Sequence, residues 1–163
     1  LSPQGKPYLP GRELSFSLAH SGQLVCLACG AVPRIGIDIE DCGRPVQAAA
    51  IVSRSFVSAE QDRWQQLPES ERASAFFRIW TRKEAYLKGT EEGIAGLARV
   101  EVDQRCGVRR PWLSYDGVAA VTANWWSAEA EPIPGCLVTV AVDGPESELT
   151  WNWLPASPED WPA

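Results

Sequence analysis

The chain has 163 residues, of which 45% are hydrophobic and eight are Trp, enough for the core of one ordinary domain or two small lobes. Its formal net charge of -6 argues against a general nucleic-acid binder, because such proteins present positive charge to the phosphate backbone. No apolar run approaches the roughly 18 residues that a membrane span needs, and no signal-like segment is seen, so we expect a soluble, cytoplasmic protein.

Short strands are predicted at the start of the chain, with helices after them. Apolar alternation predicts three strands, at 14–18, 24–29 and 35–39. An Ala-rich run, a capping sequence at Ser58-Ala-Glu-Gln61 and a long amphipathic run predict three helical segments, at 46–56, 58–67 and 69–88. Strands are predicted again at 99–103, 118–126, 137–142 and 149–154. This order predicts an α+β fold with helices packed on a mainly antiparallel sheet.

Aromatic residues are frequent in the last third of the chain. Alternation within the predicted strands favours core packing over a stacking platform for five of them: Trp125, Trp126, Trp151, Trp153 and Trp161.

Two carboxylates lie close together in the third predicted strand, Ile35-Gly-Ile-Asp-Ile-Glu40. Asp38 and Glu40 share one face because strand side chains alternate, so their charges repel unless a cation lies between them. Mg²⁺ prefers such hard oxygen ligands. The alternative is an exposed strand edge whose carboxylates face water, and the short pattern alone favours that alternative.

A second motif, Trp80-Thr-Arg-Lys-Glu-Ala-Tyr-Leu-Lys88, lies at the end of the long predicted helix. Spacings of four place Trp80, Glu84 and Lys88 along one stripe. An anchoring Trp beside an ordinary Glu–Lys pair would explain this stripe structurally. Packed near the acidic strand, the same stripe would supply a third metal ligand or a base, together with a cation for phosphate.

The two motifs together, 36–40 and 80–88, resemble the double signature of the 4′-phosphopantetheinyl transferase superfamily. Lys6-Pro-Tyr8 and Phe16-Ser-Leu-Ala-His-Ser-Gly22 resemble the segment that leads into this signature in the two-lobe, surfactin-synthetase-activating type. The resemblance implies a transferase-like α+β lobe, Mg²⁺ as cofactor, and coenzyme A and a carrier protein as partners.

The implied activity is transfer of the 4′-phosphopantetheine group from coenzyme A to a serine of an acyl- or peptidyl-carrier protein, with release of adenosine 3′,5′-bisphosphate. Such priming serves fatty-acid, polyketide, nonribosomal-peptide or siderophore pathways. The alternative is a non-catalytic module that binds coenzyme A or a carrier protein. Three acids around one site favour the enzyme, since docking alone does not require them.

The resemblance also implies a role for each matching residue. Asp38, Glu40 and Glu84 are the implied Mg²⁺ ligands, and Glu84 is also a candidate base, directly or through water, for the attacking serine. Lys88 is the implied phosphate contact that offsets charge as the bond breaks. Further coenzyme A contacts are implied at Lys6, His20 and Lys83, and an accessory acid is implied at Glu60.

By the same resemblance, the chain is divided into three parts. Residues 1–34 would be the remnant of an N-terminal lobe on the nucleotide-phosphate side, 35–143 the C-terminal lobe with the metal site, and 144–163 a tail. The two-lobe type has a longer segment before the Lys-Pro-Tyr stretch. We therefore expect a fragment of a longer protein, or a cleft wall supplied by another subunit, and the first residue, Leu1, favours the fragment.

Overall fold

The computed structural model describes residues 2, 5–11 and 13–154. Three strands open the described chain: β1 (Ser15–Ser21), β2 (Leu24–Gly30) and β3 (Arg34–Asp41). Three helices follow: α1 (Ala48–Ser55), α2 (Ser58–Gln65) and α3 (Glu69–Thr90). Four strands complete the order: β4 (Val100–Val102), β5 (Trp112–Tyr115), β6 (Trp125–Ala130) and β7 (Cys136–Asp143). The predicted α+β class is confirmed.

The described strands form three antiparallel sheets, with the orders β1-β2, β3-β7-β6 and β4-β5. β1 lies beside β3, where the backbone N–H of Ile37 donates to Ser17 Oγ at 3.2 Å and that of Asp41 donates to Ser21 Oγ at 3.1 Å. Both bonds join residues twenty positions apart, so the two strands run in the same direction. The acidic strand β3 therefore lies between β7 and the β1-β2 hairpin.

Helix α3 crosses β3 at a pair of glycines. A Cβ added to Gly36 would overlap the carbonyl oxygen of Ala85 and lie 2.6 Å from the backbone nitrogen of Gly89. A Cβ on Gly89 would lie 2.7 Å from the Trp125 ring. Helix and strand backbones thus touch directly, which brings the end of α3 within reach of the acids that follow Gly36.

Two hydrophobic clusters lie on opposite sides of the central sheet. One packs the buried face of α3, including Phe76, Phe77 and Tyr86, and the other packs the hairpin against the Ile residues of β3. Neighbouring Trp125 and Trp126 are each 1% exposed and belong to different clusters. This is the core packing that alternation predicts for consecutive strand residues.

Several predicted boundaries need correction. Residues 149–154 are irregular, and Trp153 is 55% exposed, so the predicted strand and the core role of this Trp are wrong. The predicted strand 118–126 is wrong over most of its length: a short 3₁₀ helix, Ala119–Val121, and a turn occupy it, and strand β6 begins only at Trp125. Strand β5 was not predicted, and Trp161 lies outside the described residues.

Two helix ends also differ from prediction. At the start of α2 the N-terminal cap is Val57, whose backbone N–H donates to the Glu60 carboxylate at 2.9 Å, rather than Ser58. At its C-terminal end, α3 continues past Gly89 to Thr90. Gly89 does not end the helix; it lets the helix pack closely against Trp125. None of the helices in the described ranges is long and apolar enough to cross a membrane.

Candidate functional site

A cleft of about 290 Å³ lies between the segment 5–7, strand β1 and the C-terminal end of α3. Phe16, Leu18 and Leu87 contribute apolar wall. Charged side chains of both signs also line it: Lys6, Glu84, Lys88 and Glu91. A ligand in this cleft would meet ammonium and carboxylate groups against an apolar surface.

The two sequence motifs meet beside this cleft. Lys88 Nζ donates to Asp38 Oδ1 at 2.6 Å, and the Asp38 side chain is only 9% exposed. Burial raises the pKa of Asp38 to about 7, the Lys88 ammonium opposes that rise, and the carboxylates of Glu84 and Glu40 add to it. The three predicted acids therefore lie within electrostatic reach of one another.

The two other acids have different surroundings. Burial raises the pKa of Glu84, the Lys88 ammonium lowers it, and the Glu40 carboxylate raises it further. Glu40 is held by Arg44, whose Nε donates to its Oε2 at 3.0 Å. Sequence reasoning missed this ion pair, because Glu40 lies in a strand and Arg44 in the turn after it, where a spacing of four residues does not predict a contact.

The three acids do not form a metal cage in their present positions. Among the residues that the structure describes, no three His, Cys, Asp or Glu side chains are grouped so that they could hold a metal ion. The positive charges of Lys88 and Arg44 instead balance the acids on β3.

The donor set still fits a divalent cation. Asp38 Oδ2 is buried and has no hydrogen-bond partner among the described residues. Glu40 and Glu84 are close enough to affect its titration, and clustered carboxylate oxygens are the ligands that Mg²⁺ takes. A cation beside Asp38 would satisfy the unpaired oxygen and relieve the repulsion.

Of the two predicted coenzyme A contacts near the N-terminus, Lys6 reaches the cleft directly. Its Nζ donates to the carbonyl oxygen of Ile35 at 2.8 Å. Burial lowers the pKa of Lys6, and Glu91 raises it. His20 is exposed on β1. Residues of β1 lie beside the residues of β3 that follow them by twenty positions, so His20 lies level with Glu40. His20 does not line the cleft itself.

Lys83 and Glu60 form a fully buried ion pair away from the cleft. Lys83 Nζ lies 2.7 Å from Glu60 Oε2, and both side chains are 0% exposed. The same ammonium donates to the carbonyl oxygen of Leu97, and Glu60 accepts backbone N–H bonds from Val57 and Val102. Burial lowers the pKa of Lys83, while Glu60 raises it. The expected phosphate contact of Lys83 is therefore corrected to a structural role, because its charge is already enclosed.

Replacing Lys83 by Met is expected to lower the free energy of unfolding by about 3–5 kcal/mol, since Glu60 would remain as a buried carboxylate without its partner. Urea unfolding measures this loss. The control is the double variant Lys83→Met/Glu60→Gln, which removes both charges and keeps one acceptor oxygen for one of the two backbone N–H donors. We expect the double variant to be more stable than the single one, and the opposite order would contradict the assigned ion pair.

Comparison with known proteins agrees with the two motifs. The model of the 4′-phosphopantetheinyl transferase superfamily matches residues 34–126, more than half of the chain, including both motifs. The chain therefore belongs to this superfamily, which confirms the predicted resemblance.

Three relatives illustrate the match. The 4′-phosphopantetheinyl transferase HetI of Nostoc sp. is 34% identical over 93% of this chain and 60% of its own length. The transferase psf-1 of Bacillus pumilus is 37% identical over 59% of this chain and 42% of its own length. The transferase AcpT of Salmonella typhimurium is 34% identical over 61% of this chain and 52% of its own length. The chain thus spans about half the length of these relatives.

Proposed function

We propose that this chain carries the catalytic groups of a 4′-phosphopantetheinyl transferase. The reaction moves the 4′-phosphopantetheine group from coenzyme A to a serine of an acyl- or peptidyl-carrier protein and releases adenosine 3′,5′-bisphosphate. The observation that carries the proposal is the Lys88–Asp38 contact of 2.6 Å, which joins the two family motifs beside one cleft.

The cationic groups are proposed to bind the diphosphate. Lys88 and Lys6 present ammonium groups to the cleft, and His20 would contribute from the exposed side of β1. Lysine is well suited to phosphate because its ammonium is a compact charge with three donors. In phosphoryl transfer, such groups stabilise charge on the equatorial and leaving oxygens.

Asp38, Glu40 and Glu84 are the proposed magnesium ligands. When bound, the ion supplies charge neutralisation at the diphosphate. For these carboxylate oxygens to meet around an ion, the Lys88–Asp38 and Arg44–Glu40 ion pairs would have to open. Lys88 would then be free to contact phosphate.

Glu84 is also the proposed proton acceptor. The serine oxygen forms a bond to the β-phosphorus, the bond from that phosphorus to the bridging oxygen breaks, and the hydroxyl proton moves to Glu84 directly or through water. Burial raises the pKa of Glu84, which makes the carboxylate a better base. Its position on the cleft wall suits this role.

The domain assignment is part of the same proposal. Residues 1–34 would be the remnant of an N-terminal lobe on the nucleotide-phosphate side, 35–143 the C-terminal transferase lobe with the metal site, and 144–163 a tail. The exposed apolar residues of the hairpin, Leu18, Val25 and Leu27, support a covering segment from a longer chain or another subunit. We place the reaction in the cytoplasm, on carriers of fatty-acid, polyketide, nonribosomal-peptide or siderophore synthesis.

The test is to incubate the chain with apo-carrier protein, coenzyme A and Mg²⁺ and to measure the carrier's mass by mass spectrometry. The same experiment is done with the protein encoded by the full natural reading frame. The expected result is a gain of one phosphopantetheine group, absent from a carrier whose acceptor serine is replaced by Ala. A carrier that binds but gains no mass would favour the non-catalytic module instead.

A further inference from the structure

The residue after α3 adopts a backbone conformation that its side chain disfavours. Glu91 caps the helix with φ 65° and ψ 20°, in the left-handed region. Helices commonly place Gly or Asn there, because the Cβ of any other residue lies too close to the following carbonyl oxygen. Strained backbone residues of this kind cluster at functional sites, although Asp116 shows the same conformation in a turn outside the cleft. Glu91 is therefore a candidate for a role that Gly would not fill.

Glu91 lies in the cleft, on the stripe already defined by the family motif. It follows Lys88 by three residues and Glu84 by seven, and all three line the same cavity. At 1.5 Å per residue, Glu91 is about one turn beyond Lys88 along the axis of α3. Along this wall a carboxylate, an ammonium and a second carboxylate follow one another.

No group of the described chain uses the Glu91 carboxylate. It makes no hydrogen bond or ion pair within 4 Å to a described residue, although it raises the pKa of Lys6 electrostatically. Lys6 itself donates to the Ile35 carbonyl oxygen. The carboxylate thus remains available as an acceptor for a ligand.

We propose that Glu91 is a ligand-binding residue that accepts a hydrogen bond from a neutral N–H or O–H group of coenzyme A. A carboxylate repels phosphate, so the phosphates belong near Lys88 and Lys6 and the neutral donor lies one helical turn further on. Coenzyme A offers such donors at two places, the amine and hydroxyls of its adenosine and the amides of its pantetheine arm. This inference rests on the proposed function.

Two substitutions separate the strain from the contact. Glu91→Gly removes both, so we expect the melting temperature to rise by roughly 2–4 °C while the Kd for coenzyme A increases about ten-fold or more. Glu91→Ala retains the disfavoured backbone, so we expect the same loss of affinity without the rise in melting temperature. The control is Glu92→Ala, which removes the neighbouring carboxylate that does not line the cleft and is expected to leave the Kd unchanged.

Calorimetric titration with three compounds completes the test: coenzyme A, adenosine 3′,5′-bisphosphate and 4′-phosphopantetheine. Weaker binding of the bisphosphate to Glu91→Ala would place the donor on the adenosine, and weaker binding of phosphopantetheine would place it on the arm. If the parent binds coenzyme A and both Glu91 variants bind it equally well, the inference is overturned while the proposed function stands. If neither the chain nor the protein encoded by the full natural reading frame binds coenzyme A, both the inference and the proposed function are contradicted.

Discussion

Replacing Glu84 by Gln is expected to reduce phosphopantetheine transfer by about 10²- to 10⁴-fold, the usual contribution of a positioned acid–base group. Gln has nearly the same size, so the cleft wall formed by α3 is preserved. Its amide neither accepts the serine proton nor carries the charge that a metal ligand needs. The carrier's mass gain per unit time measures the effect.

The matched control for Glu84→Gln is the same substitution at Glu71, which is exposed in the first turn of the same helix. Glu71→Gln should transfer at the parental rate, and both variants should melt close to the parent. Transfer by Glu84→Gln at the parental rate would show that Glu84 is neither base nor essential ligand.

Replacing Gly36 by Ala is expected to lower the free energy of unfolding by about 3 kcal/mol or more, at the upper end of the overpacking range. The new methyl group would meet the backbone of Ala85 and Gly89, which cannot move away as a flexible side chain can. Separating α3 from β3 would also separate Lys88 from Asp38. Urea unfolding followed by Trp fluorescence measures the loss.

Gly30→Ala is the matched control, since this glycine also lies in a strand and its added Cβ would have its nearest neighbour at 3.8 Å, an ordinary contact. We expect its free energy of unfolding to change by less than about 1 kcal/mol. Equal stability of the two variants would contradict the direct contact between helix and strand.

The elements with a strong local period could be predicted from the sequence. The three strands before residue 42 and the helix after residue 68 carry clear alternation or amphipathic spacing, and the structure has them within a few residues. Strand β5 was missed because it has only four residues after Arg109-Arg110-Pro111. Residues 149–154 alternate in the same way but form no strand, since alternation does not show whether a sheet edge is available.

The sequence predicted which residue types belong to the site better than it predicted which of them contact one another. Motif spacing brought Asp38, Glu84 and Lys88 into one hypothesis, and the structure brings them together at the cleft. Which lysine faces the cleft depends on how α3 packs, and the adjacent Lys83 is enclosed by Glu60 instead. The left-handed backbone of Glu91 left no sequence signal, because Glu is rare in that conformation.

If Asp38, Glu40 and Glu84 share one magnesium site, calorimetric titration of Mg²⁺ with coenzyme A present will show it directly. The titration belongs at about pH 8, above the pKa of about 7 that burial gives Asp38, so that its carboxylate is ionised. The expected result is one ion bound by the parent chain and affinity at least about ten-fold weaker in Asp38→Asn and in Glu84→Gln. Equal Mg²⁺ affinity in the parent and both variants would contradict a shared site.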